Sequence, residues 1–304
     1  MNNYYLNGKN VNDYGIIPGQ ESNSNLALSG PWDMPSRIGK IYQEWPDENG
    51  LEPYLRADEL FYGGRDLSFT YFLQGDSREE AMVKSYQLYD DINSFNGLIP
   101  FSSDLYGIYQ VYVSGEISVE YLADGWCKGV IPMREPVVNL LGDLPTPDNG
   151  SPGIDNMSFE SLGFKLITMK SQSDRPGIKA VERTAYGYEA AKIGKATFRE
   201  FDLTLAIIKP SYTQFKSAIQ GLMHLLSRPG ARTLDYNNIK REFFAKDGFK
   251  VTKMQKQGEK YVAVLEIKLS EIRVLETWNV FTDISGLLLT DKNGRTLTEI
   301  LKMN

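Results

Sequence analysis

The chain makes one stretch twice, and that repetition limits what it can fold into. After Arg65, the residues Leu67, Phe69, Tyr71 and Leu73 occupy every second position, as a half-buried strand requires. Ser77 and Glu80 come next, at the spacing of a capping box. Met82, Tyr86, Tyr89, Ile92 and Phe95 recur at steps of four and three, which predicts a helix with one apolar stripe, and Asn96-Gly97 supplies its left-handed stop. The same order returns from Arg199. Phe201, Leu203, Leu205 and Ile207 alternate, Ser211 and Gln214 repeat the cap, Phe215, Ile219, Leu222 and Leu225 form the stripe, and Arg228-Pro-Gly230 ends it. Phe215 stands 133 residues after Met82, Leu222 133 after Tyr89, and Gly230 133 after Gly97. Phe201 stands 134 after Leu67, so one residue slips near the cap.

The segments after the two helices repeat as well. Leu98 to Phe101, Ile108 to Val113, Glu116 to Tyr121 and Trp126 to Met133 read as strands, with turns at Ser114-Gly115 and Asp124-Gly125. In the second copy, Ile239 to Ala245, Phe249 to Gln255 and Tyr261 to Leu269 are separated by turns at Asp247-Gly248 and Gln257-Gly258, again 133 residues on. The repeated unit is therefore strand, helix, then a four-stranded antiparallel meander. At 304 residues, two units are expected by size alone.

These elements set the expected boundaries. A first domain covers 1–140 with its helix over 77–96, and a linker covers 141–153. A second domain covers 154–275 with its helix over 211–228, and a terminal hairpin or arm covers 276–304. The linker rests on Pro132, Pro136, Pro145, Pro147 and Pro152, which deny ladder hydrogen bonds and stiffen the segment. Ahead of the first strand, Ile38 to Trp45 and Leu51 to Phe61 flank the turn Asp47-Glu-Asn-Gly50 and predict a long hairpin. Ser171 to Lys195 takes its place in the second copy.

The chemistry of a site is missing. His224 is the one histidine and lies beside the second helix's stripe; Cys127 is the one cysteine. A Ser-His-Asp or Cys-His arrangement would have to use these, and no zinc site of the usual ligands can be assembled. No catalytic residue, metal ligand or cofactor is expected. Glu79-Glu80 suits the positive end of the first helix, and Asp90-Asp91 lies off its stripe. A lone cysteine permits no internal disulfide. A net charge of −6 disfavours a surface that grips nucleic acid. No apolar run approaches the roughly 20 residues that span a bilayer. The start, Met1-Asn-Asn-Tyr-Tyr-Leu-Asn-Gly, lacks the basic and apolar segments of a secretory signal. Trp32, Trp45, Trp126 and Trp278 leave one competing reading, an adhesin-type module that stacks sugars on surface aromatics.

The region after the first helix carries a family resemblance. Leu98 to Pro136, with Tyr109-Gln-Val-Tyr-Val-Ser-Gly115, Asp124-Gly125-Trp126 and Arg134-Glu-Pro136, resembles the siphovirus tail-component family, the distal tail proteins of long-tailed bacteriophages. Leu6-Asn-Gly8 and Tyr14-Gly-Ile16 are similar to that family's opening strand, and Asp174-Arg-Pro-Gly177 to its Pro-Gly signal before the repeated strand. The resemblance implies a mainly β fold, an α+β arrangement with a β-sandwich and one helix in each of two tandem tail-tube-like domains. The apparent duplication is similar to tail hub proteins, in which two tube-like domains per chain let three chains imitate a six-fold ring. It further implies a virion-tail protein made in the host bacterial cytoplasm without a signal peptide. Its implied partners are copies of itself, as a ring of three or six, and other phage tail proteins; DNA would pass through without specific binding, and no membrane is involved. The expected contacts between subunits are Trp45, Tyr54 and Leu55 on the first hairpin and Leu287 and Leu289 on the terminal arm.

Overall fold

The structure is a computed structural model that describes residues 3–20, 24–45, 49–123, 125–171, 174–185, 188–237, 239–272, 276–280 and 298–302. Leu287 and Leu289 lie outside the described residues. The first half opens with short strands β1 (Tyr4–Leu6), β2 (Lys9–Asn10), β3 (Ile16–Pro18) and β4 (Leu28–Ser29). A long hairpin comes next as two short ladders, β5 (Arg37–Ile38) with β8 (Phe61–Tyr62) and β6 (Tyr42–Gln43) with β7 (Glu52–Pro53). Then come β9 (Arg65–Gln74), α1 (Arg78–Ser94), β10 (Ile99–Ser103), β11 (Gly107–Val113), β12 (Ser118–Ala123) and β13 (Trp126–Glu135).

The second half repeats this with β14 (Gly153–Ile154), β15 (Met157–Ser158), β16 (Lys165–Lys170), the hairpin β17 (Ile178–Ala185) and β18 (Tyr188–Ala196), β19 (Glu200–Lys209) and α2 (Tyr212–Ser227). It closes with β20 (Arg232–Tyr236), β21 (Ile239–Phe244), β22 (Phe249–Val251), β23 (Gln255–Gln257) and β24 (Lys260–Glu271). A terminal hairpin pairs β25 (Glu276–Val280) with β26 (Thr298–Lys302).

Among the described residues the fold is mainly β, with two nine-stranded sheets and one helix in each half. The order β2-β1-β10-β11-β13-β9-β3 in the first sheet matches β15-β14-β20-β21-β24-β19-β16 in the second, place for place. The ends match as well. Arg65 begins β9 and meets Glu135 at the end of β13, Nε to Oε2 2.6 Å; Arg199 stands just before β19 and meets Glu271 at the end of β24, Nε to Oε2 3.6 Å. Inside, the same layer is filled differently. Tyr71 lies opposite Gly129, where a Cβ would come 2.3 Å from the tyrosine ring. The corresponding pair in the second half is Leu205 and Leu265. The missing side chain at Gly129 makes room for the tyrosine ring, whereas two leucines share the layer in the second half.

Each sheet curls because one strand turns a corner. β11 pairs along its length with β10 but reaches β13 only through Tyr112–Arg134 and Val113–Met133. This corrects the expected meander: β12 pairs with the far end of β13, not with β11, since the ten-residue β13 outruns what β11 can cover after turning. In the second half β22 and β23 share that edge of β24. The curled faces enclose the core, with Leu6, Phe69, Tyr71, Phe101, Val111 and Ile131 in the first half and Phe201, Leu205, Phe243 and Leu265 in the second, all fully buried.

The helices begin at their caps. Ser77 Oγ accepts from the Glu80 N–H at 3.3 Å and Ser211 Oγ from the Gln214 N–H at 3.3 Å. The Glu80 carboxylate accepts from the Asp76 N–H at 2.6 Å, one residue earlier than a capping box predicts. The stripe of α2 is buried as expected. That of α1 is buried only in part: Tyr89, Ile92 and Phe95 pack half-buried against the core and Tyr86 is exposed, while the fully buried residues are Ala81, Ser85 and Leu88 beside the stripe. Small residues let α1 approach the sheet, and Ser85 satisfies its hydroxyl on the Ala81 carbonyl at 3.0 Å. Residues 136–152 contain no strand or helix, yet they lie as a strap on α2; Pro132 of the expected stiff stretch instead stands inside β13, and Gly153 begins β14. Leu140 and Leu144 pack against the core, and a Cβ on Gly221 would come 2.7 Å from the Asp143 carbonyl oxygen.

Candidate assembly surface

The hairpin ahead of β9 is expected to reach a neighbouring subunit. Within this chain it lies across the second half. The Met34 N–H donates to the Phe249 carbonyl at 2.9 Å and the Arg37 N–H to the Lys246 carbonyl at 2.9 Å, while Ser36 Oγ donates to the Asp247 carbonyl at 3.0 Å. Alternation then decides which side chains turn inward. Arg37 is buried and donates to the Tyr54 carbonyl; its neighbour Ile38 and the opposite Phe61 are exposed. Deeper along the hairpin, Ile41, Tyr42, Leu51 and Leu55 pack with Phe198, Ala231, Phe244 and Ile272 in a small second core. The Gly230 N–H donates to the Leu55 carbonyl at 2.8 Å.

Near its base the same segment is pinned by aromatics. The Trp32 ring packs edge-on against Tyr106 of the first half and Tyr212 and Phe215 of α2, at centroid distances of 5.6, 6.4 and 6.0 Å. Its Nε1 donates to the Tyr212 hydroxyl at 3.2 Å. Trp32 is therefore interior and presents no face to a sugar. Trp45 is partly exposed near the hairpin tip, with Nε1 donating to Glu52 at 2.8 Å. Lys179 of the second hairpin donates to the carbonyls of Trp45 at 2.7 Å and Gly50 at 2.8 Å, so the two hairpins lie side by side.

Of the expected contact residues, Tyr54 and Leu55 are thus engaged within the chain, and Trp45 stands at the outer end. Sequence reasoning missed Ile38 and Phe61, a cross-strand apolar pair that faces solvent together. An alternation count over 37–38 and 61–62 could have found them only with the register known.

One carboxylate at this junction is electrically unusual. Asp33 Oδ1 accepts from the Val251 N–H of the second half at 2.8 Å. Burial pushes its pKa up to about 6, against the pull of that hydrogen bond and of Lys250 and Arg65. The folded state then favours the protonated acid. Asp33 contributes most below its unfolded value of about 3.9, and stability falls by about 2–3 kcal/mol as pH rises through 6. Asp33→Asn keeps an oxygen for Val251 and is expected to remove that slope in denaturant titrations run between those pH values. An unchanged slope would assign the junction's pH response elsewhere.

Among the described residues, no group of three or more His, Cys, Asp or Glu side chains is placed to hold a metal ion, and no helix is long and apolar enough to cross a membrane. No family model matches the chain, and no curated protein matches it. Among solved structures, the chain is similar to the crystal structure of the Dit (gp 19.1) protein of phage SPP1, described as a paradigm of the hub adsorption apparatus in phages that infect Gram-positive hosts. The identity is 11% and the TM-score 0.35, over 88% of this chain and 99% of that one.

Proposed function

We propose that this chain is a structural protein of a bacteriophage or prophage tail, a ring component that joins the tail tube to the host-binding tip. The observation that carries the reading is one sheet order made twice in a chain whose first copy lays its hairpin over its second. A unit that covers its neighbour's sheet in this way can repeat around an axis, and closure of the ring leaves no raw strand edge. The resemblance of Leu98 to Pro136 to the siphovirus tail-component family supports a place in a tail for such a ring. In this reading the repeats are 1–140 and 154–275, bridged by 141–153 and followed by the arm 276–304. Copies of the chain form a ring of three or six in the virion tail, contact other tail proteins, and let DNA through without gripping it; no catalysis is assigned.

Native mass spectrometry at tens of micromolar tests this, together with negative-stain images of the same sample. Closed species of three or six chains with a central opening are expected. A chain that stays monomeric, or that grows into open fibres, overturns the ring.

A further inference from the structure

Among the differences between the two halves, one identifies what the first half lacks. Tyr112 pairs with Arg134, which pairs with Asp66, the second residue of β9. Phe244 pairs with Ser270, which pairs with Glu200, one residue after Arg199 as Asp66 is one after Arg65. Tyr112 and Phe244 are therefore the same position. Phe244 is 3% exposed because the first hairpin covers it, and Tyr112 is 40% exposed. Leu98 comes after Gly97 as Ala231 comes after Gly230; Ala231 packs under the hairpin, and Leu98 is 48% exposed. A Cβ on Gly248 would meet the Met34 carbonyl oxygen of the hairpin segment at 2.2 Å, whereas at the matching Gly115 the nearest atom is Pro132 Cγ at 3.6 Å. In place of a hairpin, the first half has an open groove of about 780 Å³ between the end of α1 and the β11–β12 turn, lined by Tyr89, Ile92, Phe95, Leu98, Tyr112 and Ile117.

We propose that this groove is the seat of the β17–β18 hairpin of a second copy. β17–β18 precedes β19 as the first hairpin precedes β9, so it is the corresponding arm. The first hairpin already occupies the corresponding seat on the second half. The groove stands open in the chain that carries both, so its own β17–β18 does not fill it. A donor with the same docking relation has to come from another molecule, which makes the contact head-to-tail, one hairpin given and one groove filled per chain. This deepens the ring reading and rests on it only in taking copies of the chain to meet.

The experiment places the photocrosslinker p-benzoylphenylalanine at Tyr112 in the full chain and mixes isotopically light and heavy protein before illumination. Light–heavy crosslinks mapping to residues 178–196 are expected. Crosslinks that map elsewhere, fall only within one molecule, or fail to form overturn the proposal. In parallel, the double variant Leu98→Asp, Tyr112→Asp is expected to weaken self-association at least about tenfold, as loss of interface anchors does, while the melting temperature measured at a dilution where the chain is monomeric stays unchanged. Undiminished association overturns the groove's role. If closed rings form without the crosslink, only the groove assignment fails. If the crosslink forms without closed rings, the groove assignment stands and the ring reading fails.

Discussion

Trp32→Ala is expected to cost about 3–5 kcal/mol of folding stability, the range for truncating a large buried aromatic. Trp32 comes from the first half's chain but sits between Tyr106 and the α2 residues Tyr212 and Phe215. Its removal opens a cavity where both halves meet and leaves the Tyr212 hydroxyl without its indole donor. Because Trp32 lies where the contiguous apolar core passes from one sheet to the other, its loss is expected to uncouple the two sheets and to appear as two separated transitions in urea. Trp32→Phe keeps most of the ring contact and gives up the hydrogen bond, so about 1–2 kcal/mol is expected there. A single transition displaced by less than about 1 kcal/mol in Trp32→Ala would show that the halves do not depend on this cluster.

Gly248→Val is expected to have the second large effect, about 3 kcal/mol or more. Two costs add. The backbone at Gly248 has φ +64, where an L side chain is strained, and a Cβ there would stand 2.2 Å from the Met34 carbonyl oxygen and 2.7 Å from that of Pro35. Relief requires the hairpin segment to lift, which breaks the Met34–Phe249 and Arg37–Lys246 backbone hydrogen bonds and uncovers Phe244. Hydrogen exchange is expected to rise across 34–62 and over β21 and β22 together. Gly258 is the internal control. It has φ +59 and nothing within 4 Å of its would-be Cβ, so Gly258→Ala is expected to cost only about 1–2 kcal/mol. Equal effects at the two glycines would mean that backbone strain alone matters and that the hairpin does not hold the second half.

Legibility varied with how local the cause was. The caps at Ser77 and Ser211 and the alternation of Leu67 to Leu73 could be read because each involves neighbours a few residues apart. The α1 stripe was legible in part: Tyr89, Ile92 and Phe95 do pack on the core, but Ala81 and Ser85, buried for being small, escape an apolar count. The Tyr71–Gly129 layer looked unlike Leu205–Leu265 until the register set each pair face to face. Trp32 could be read as part of a sugar-stacking surface as well as of the interior, since its three aromatic neighbours are 74, 180 and 183 positions away.

By itself, the sequence determined the strands, helices and their repetition, because pleat, helical period and capping are written in short-range spacing and survive any later arrangement. Only the tertiary structure decided that the first hairpin crosses to cover Phe244, leaving Tyr112 bare. That choice depends on Gly248 and Phe249 meeting Met34 more than two hundred residues away. Contacts of that separation form through packing and close approach, and no local pattern encodes which of two equivalent seats is filled.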